Sequence, residues 1–231
     1  MADRCLLYYI TDRSRFPGDA TTRRRALLAK IAEAARASVD YIQLRERDLS
    51  TKELELLARE ALAAVRASAP LRTEERDTRA GPEPRTRLLI NSRTDVALAT
   101  GADGVHLRSD DVAAREVRQV VETACVRGIA AQFLEAASCH SVADVRRAKS
   151  EGVDFAVFAP VFEKIAAPGT PPAGLAALRE ACQAQIPVLA LGGITIENAA
   201  SCVEAGAAGV AGIRLFQENK IEDVVRALRA L

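Results

Sequence analysis

The chain has 231 residues, of which 49% are hydrophobic and 27% charged. That suits one large folded domain and excludes disorder of the chain as a whole. Lys and Arg number 32 against 31 Asp and Glu, a formal net charge of +1, so no basic excess points to nucleic acid or a membrane surface as partner.

Short apolar runs alternate with helical patterns along the sequence. Residues 6–11 (LLYYIT) read as a strand, and 23–38 as a helix with Leu27, Ile31, Ala34 and Ala35 on one face. Strand 41–44 (YIQL) precedes a helix over 51–67, where Leu54, Leu57, Ala61 and Val65 repeat at helical spacing behind a capping Ser50. Strand 88–90 and a short helix 93–100 follow. Strand 104–107 (GVHL) leads to a helix predicted to begin at Asp111 and to carry Val112, Val117, Val120 and Val121. A fifth strand is expected near 133–137, ahead of SCHS at 138–141, with a helix over 142–151. Strands 155–158, 188–191 and 209–213 pair with helices 175–184, 197–205 and 221–231.

Eight strand–helix units in this length predict a (β/α)8 TIM barrel occupying residues 1–231. The strands are apolar without strict alternation, as parallel strands covered by helices are. A doubly wound open sheet is the competitor, but Thr11-Asp12-Arg13 stands where its glycine fingerprint would be. Residues 70–87 (PLRTEERDTRAGPEPRTR) break the pattern and read as a flexible loop insertion. The start, MADRCLLYYITD, lacks the apolar segment of a signal peptide, and no run approaches the roughly 18 residues that span a bilayer. Cys5, Cys125, Cys139, Cys182 and Cys202 form no CxxC pair, so neither a zinc site nor a disulfide framework is expected. The expectation is a cytoplasmic protein.

In such a barrel the loops after the strands carry the site. They supply Thr11 and Asp12; Gln43, Arg45 and Arg47; Asn91; His106, Arg108 and Asp111; Ser138 and His140; Pro160 and Lys164; Gly192 and Gly193; and Gly212 with Arg214. Gly192-Gly193 before a helix start suits an anion, because glycine lets the backbone come close to it. Gly212 and Arg214 could add a contact. Gln43, Arg45 and Arg47 alternate, which predicts one shared face suited to phosphate or carboxylate, unless Glu46, Asp12 or Asp40 pairs with the arginines. Both histidines fall at strand ends. An imidazole such as His140 can move a proton near neutral pH, whereas His106 inside GVHL reads as a buried, hydrogen-bonded side chain. Cys139 has no activating neighbour in the sequence and reads as packing.

The order YYITD, YIQLRER, LLINSRTDVALATGADGVHL, SCHS, VFAPVFEK, PVLALGGITIENA and AGAAGVAGI resembles the thiamine phosphate synthase/thiazole tautomerase family over nearly the whole chain. The resemblance implies a barrel that binds a small phosphorylated thiazole in thiamine biosynthesis. It implies one of two activities. The synthase joins a pyrimidine methyl pyrophosphate to the thiazole phosphate with magnesium; the tautomerase moves a proton on a carboxylated thiazole phosphate with a histidine and no metal.

Against the synthase pattern, Ser92 stands where the family has a magnesium-binding Asp, while the second acid is kept as Asp111. Ala167 takes the place of the pyrophosphate-binding lysine, with Lys164 nearby, and Arg214 replaces a phosphate-binding serine. Arg47 replaces a lysine. His140 matches the tautomerase acid/base. The expected reaction is therefore the tautomerase's, with His140 catalytic and Gln43, Arg45, Arg47, Asn91, Ser138, Gly192, Gly193, Gly212 and Arg214 binding substrate. Asp111 becomes a metal ligand only in a synthase. The remaining alternative is a non-catalytic relative that binds a phosphorylated ligand. Family members often self-associate through their outer helices, but no stripe in this sequence singles out an interface.

Overall fold

The computed structural model describes residues 4–68, 85–126, 133–163 and 171–231. Eight strands form a closed barrel in sequence order, β1 (Leu6–Ile10), β2 (Tyr41–Leu44), β3 (Arg87–Asn91), β4 (Gly104–Leu107), β5 (Leu134–Cys139), β6 (Phe155–Phe158), β7 (Val188–Ala190) and β8 (Gly209–Gly212). Every pair is parallel, and β8 closes on β1 with Leu6 opposite Gly209. The (β/α)8 expectation therefore holds.

The connecting helices are α1 (Ala20–Arg36), α2 (Thr51–Ser68), α3 (Thr94–Thr100), α4 (Ala114–Val126), α5 (Val142–Ser150), α6 (Gly174–Ala181), α7 (Ala199–Glu204), α8 (Arg214–Gln217) and α9 (Ile221–Arg229). The apolar face read for α1 is the buried one, Leu27, Ile31, Ala34 and Ala35. The same holds in α2, where Ser50 and Glu53 also cap the first turn reciprocally. Truncating Leu27 or Ile31 to alanine would cost roughly 2–5 kcal/mol. Gly101 ends α3 in the left-handed conformation, φ 69°, which a side chain would disfavour.

Side-chain alternation sorts the strands. Leu7 and Tyr9 face the helices, while Tyr8 and Ile10 enter the lumen. The lumen is filled, not open. Tyr41 stacks on Phe155 with ring centroids 4.7 Å apart, and Tyr8 meets both edge-on. At the opposite end to the strand C-termini, buried Asp40 accepts the Leu7 N–H and the Arg229 guanidinium, tying α9 to the barrel.

Several expectations are corrected. Helix α4 begins at Ala114, not Asp111, so Asp111 lies in the turn after β4. Val117 and Val121 are core, but Val112 precedes the helix and Val120 lies on its outer side, 59% and 55% exposed. Strand β5 continues through Ser138 and Cys139, because their backbone pairs with Val157 and Phe158. Helix α7 starts at Ala199, two residues later than expected. The short α8 has no counterpart in the sequence reading. Most of the 70–87 insertion lies outside the described residues, but its end does not behave as loop. Thr86 is buried and donates to the Val39 carbonyl at 2.6 Å, and Arg87 opens β3.

Candidate active site

The C-terminal mouth of the barrel holds most of the residues expected there. On the β1–β2 side, Glu46 is buried and accepts from Thr11 Oγ1 at 2.7 Å, from the Arg13 N–H, and from the Arg13 guanidinium at 3.1 Å. Thr11 Oγ1 in turn accepts the Arg45 N–H at 2.9 Å. Burial still raises the Glu46 carboxyl above its usual range, against the opposing bonds from Thr11 and Arg13. Asp12 accepts from Ser14, and Asp40 belongs to the far end. The acids that could have neutralised Arg45 are thus engaged elsewhere. Among the described residues, Arg45 makes no side-chain hydrogen bond or ion pair. Burial, and next the adjacent Arg47, push its guanidinium below the ordinary value. A half-buried cation with no counter-ion among the described residues is open to an anion.

The predicted shared face of Gln43, Arg45 and Arg47 does not form. Strand β2 ends at Leu44, so Gln43 is buried in the lumen, Arg45 sits half-buried at the rim, and Arg47 is exposed.

His106 is buried and hydrogen-bonded, as its place inside GVHL predicts, and from the lumen it joins a polar string across the barrel. Gln43 Nε2 donates to Tyr8 Oη at 3.1 Å, Tyr8 Oη lies 3.1 Å from His106 Nδ1, and His106 Nε2 lies 2.8 Å from Ser138 Oγ. Burial, then the nearby Arg45 charge, push His106 down to about 3, so it is neutral at ordinary pH. Burial raises the Tyr8 phenol well above the usual range.

After β3, Asn91 Nδ2 donates to Ser92 Oγ at 3.3 Å, and Ser92 Oγ donates to Asp111 Oδ2 at 2.7 Å. The Arg108 N–H donates to the same oxygen at 2.7 Å. Asp111 Oδ1 is left without a partner among the described residues. These residues contain no group of three His, Cys, Asp or Glu that could hold a metal ion. A magnesium ion can be held by one carboxylate when substrate phosphates supply further oxygens; the free Oδ1 fits that arrangement and no richer one.

His140 lies on the rim. Its Nδ1 is 2.8 Å from the Ala159 carbonyl oxygen, which can only accept. Nδ1 therefore donates to that oxygen, which leaves Nε2 as the ring's other nitrogen for chemistry. A capping box between Ser141 and Asp144 fixes the chain beside it. Cys139 is buried, and burial pushes its thiol up to about 12, as a packing residue requires.

Across the mouth, Gly192 and Gly193 adopt φ of 98° and 66°. Their need for glycine is steric as well. A Cβ on Gly192 would lie 2.8 Å from Pro160 Cα, and one on Gly193 would lie 2.6 Å from the Glu163 carbonyl oxygen. Asn198 ties the turn by accepting the Thr195 N–H and donating to the Gly193 carbonyl, both at 2.9 Å. The Gly193 and Ile194 N–H groups have no acceptor among the described residues, so the donors at this end of the barrel come from the turn, not from the six-residue α7. Gly212 ends β8, where a Cβ would crowd Leu215 at 3.0 Å. Arg214 opens α8 half-buried, with no side-chain partner among the described residues. Lys164 and Ala167 lie outside those residues.

Sequence reasoning missed Tyr8, Ser92 as the partner of Asp111, and the Thr11–Glu46–Arg13 brace. Strand parity could have found Tyr8, since it places that ring in the lumen one step below Gln43.

A closed (β/α)8 barrel with a half-buried arginine after β2 and a tight glycine turn after β7 belongs to the class of barrels whose loops after the strands can carry a site. The chain belongs to the thiamine monophosphate synthase family, whose model matches residues 7–216. It is 35% identical over 213 residues to the putative thiamine-phosphate synthase 2 of Aquifex aeolicus, covering 92% of this chain and 97% of that one. It is 38% identical to the thiamine-phosphate synthase of Roseiflexus castenholzii, over 91% of this chain and 80% of the relative. Among solved structures, the thiamine phosphate pyrophosphorylase of Pyrococcus furiosus has the same fold, with a TM-score of 0.74 at 24% identity over 99% of this chain and 95% of that one. Among the described residues no helix is long and apolar enough to cross a membrane.

Proposed function

We propose that this chain is a thiamine-phosphate synthase: the thiazole nitrogen of a thiazole phosphate displaces diphosphate from a pyrimidine methyl diphosphate at the mouth. The reading rests on relatives bearing that name and on one geometric observation, that the half-buried Arg45 and the Gly192–Gly193 turn both follow strands at the same end of the barrel. The Gly192–Gly193 turn and Arg214 would hold the thiazole phosphate. Arg45 would receive the diphosphate, and Asp111 Oδ1 with the diphosphate oxygens would hold magnesium. When bound, the metal neutralises charge on the departing diphosphate. Arg45 stabilises the same charge from the β2 side, and the filled lumen closes the pocket floor against water.

This ordering differs from the one expected from Ser92, Ala167 and Arg214. The tautomerase remains a second reading because one observation favours it. His140 is held by Nδ1–H on the Ala159 carbonyl, and among the described residues Nε2 makes no hydrogen bond, the orientation a general base needs.

Purified protein supplied with both synthase substrates is expected to release diphosphate and thiamine phosphate in equal amounts, and chelator is expected to stop it. Absence of coupling, together with chelator-resistant aromatisation of a carboxylated thiazole phosphate, would replace this reading with the second. Ligand binding without turnover of either kind would leave a binding protein.

A further inference from the structure

The lumen string from Gln43 to Ser138 is occupied by side chains whose protons have a direction. We propose that Tyr8 and His106 are positioning residues that hold the Ser138 hydroxyl as a hydrogen-bond donor pointing into the mouth. The inference rests on the mouth being the reaction site, under either reaction named above.

The argument is one of donors and acceptors. Gln43 Nε2 donates to Tyr8 Oη at 3.1 Å. Tyr8 is fully buried, and the other polar atom recorded at its hydroxyl is His106 Nδ1, also at 3.1 Å. A buried phenol proton without an acceptor is costly, so Tyr8 O–H donates to Nδ1. Nδ1 must then be the bare nitrogen of a neutral imidazole, which places the ring proton on Nε2. Nε2–H donates to Ser138 Oγ at 2.8 Å. With Oγ accepting from the ring, the serine's own proton has no partner in the string. Ser138 is half-buried at the end of β5 and faces the mouth, so its proton is offered to an acceptor on the substrate, a ring nitrogen or an anionic oxygen.

His106 keeps this role down to acid pH, because burial, and next the nearby Arg45 charge, push its titration down to about 3. A protonated ring would need an acceptor at both nitrogens, and Tyr8 could no longer donate. The string also explains a polar lumen layer above an otherwise apolar one. Each member satisfies the next, and the surplus proton emerges at the ligand.

The test has two readouts. Nitrogen-15 NMR of histidine-labelled protein, without substrate, is expected to show His106 with a bare Nδ1 and a protonated Nε2, unchanged between pH 5 and 9. The Tyr8→Phe variant is expected to lose that preference. Tyr8→Phe keeps the ring that packs on Tyr41 and Phe155, so folding is preserved, and circular dichroism checks this. In kinetics, Tyr8→Phe should lower kcat/KM at least tenfold in the wild-type background and less than twofold in a Ser138→Ala background. The two residues share no recorded contact, so non-additivity must pass through His106. A protonated Nδ1 in the native protein, which means Gln43 accepts and the string runs the other way, overturns the proposal; so do additive losses. If the wild type turns over neither set of substrates, the functional reading fails and the NMR result alone decides the direction of the string.

Discussion

The two sides of the barrel mouth are built by different means. On the β7–β8 side the proposed anion seat is backbone. Its shape comes from two glycines at positive φ wedged against Pro160 and Glu163, and its polar groups are N–H donors that no side-chain exchange removes. On the β2–β4 side the machinery is side chains: Arg45, Ser92, Asp111 and Arg108. A backbone seat tolerates sequence drift as long as its glycines stay. A side-chain cluster changes chemistry with one substitution, and Ser92 beside a lone Asp111 is where this chain departs from the synthase pattern it resembles. The substrate phosphate should therefore be held robustly, while the choice of reaction is set on the other side.

The strongest attack on this contrast is at Gly193. The Gly193→Ala side chain would meet Glu163 O at 2.6 Å and Phe162 Cβ at 2.7 Å, at a φ of 66° that disfavours L residues. Overlap and backbone strain together cost roughly 2–5 kcal/mol. Calorimetry with the thiazole phosphate should show affinity reduced at least 100-fold, with the helical circular dichroism retained. Undiminished affinity would mean that side chains, not this turn, hold the phosphate.

The second attack falls on Asp111. Asp111→Asn removes the carboxylate assigned to magnesium and is expected to reduce diphosphate release by roughly 50-fold or more, about 2–3 kcal/mol. Ser92→Asp should act oppositely, lowering the magnesium concentration for half-maximal rate at least several-fold. Indifference of turnover to both changes would detach the reaction from the metal and favour His140 as its agent.

Much of this was legible in the sequence, for definite reasons. Strands such as YIQL and FAVF are short apolar runs bounded by breakers, and the helix-ending glycines recur at equivalent places, so the barrel could be counted. The rim loops followed from that count. What stayed hidden depended on where a strand stops. One-residue differences decide whether Ser138 points from a strand or a loop, and β2 ending at Leu44 scatters Gln43, Arg45 and Arg47 that alternation had grouped. Spacing also cannot say which acid takes which cation. Glu46 goes to Arg13 across a loop, leaving Arg45 without a side-chain partner among the described residues. Helix α4 was placed early because Asp111 and Val112 look like a cap and a first apolar residue, but Asp111 is held by Ser92 and the Arg108 N–H instead.

The lumen offers a third prediction, of similar size, which probes the floor beneath both sides. His106 titrates near 6.5 when unfolded and at about 3 when buried. The unfolded chain thus takes up a proton that the folded one refuses. Stability from this group is complete above pH 6.5 and is lost progressively as the pH falls toward 3. By pH 4.5 the loss is roughly 2–3 kcal/mol. Urea unfolding of the His106→Gln variant should lack that increment between pH 7 and 4.5. An equal fall in both proteins would place the acid sensitivity in the carboxylates instead.

The smallest effect is expected at Arg214, where the two building principles meet. This residue opens α8 after β8, the strand next to β7 and its glycine turn; it takes the place of a serine in the synthase pattern and has no side-chain partner among the described residues. If N–H groups hold the phosphate, Arg214 adds a long-range attraction through partly exposed water. Such a contribution is about 1 kcal/mol and is screened by salt. Arg214→Ser should then weaken the thiazole phosphate about fivefold at low ionic strength, and the difference should shrink toward nothing in molar salt. A loss above 100-fold that survives high salt would make the arginine the seat itself. The glycine turn would then be a packing device for the β6–β7 loops, and both sides of the mouth would be side-chain built.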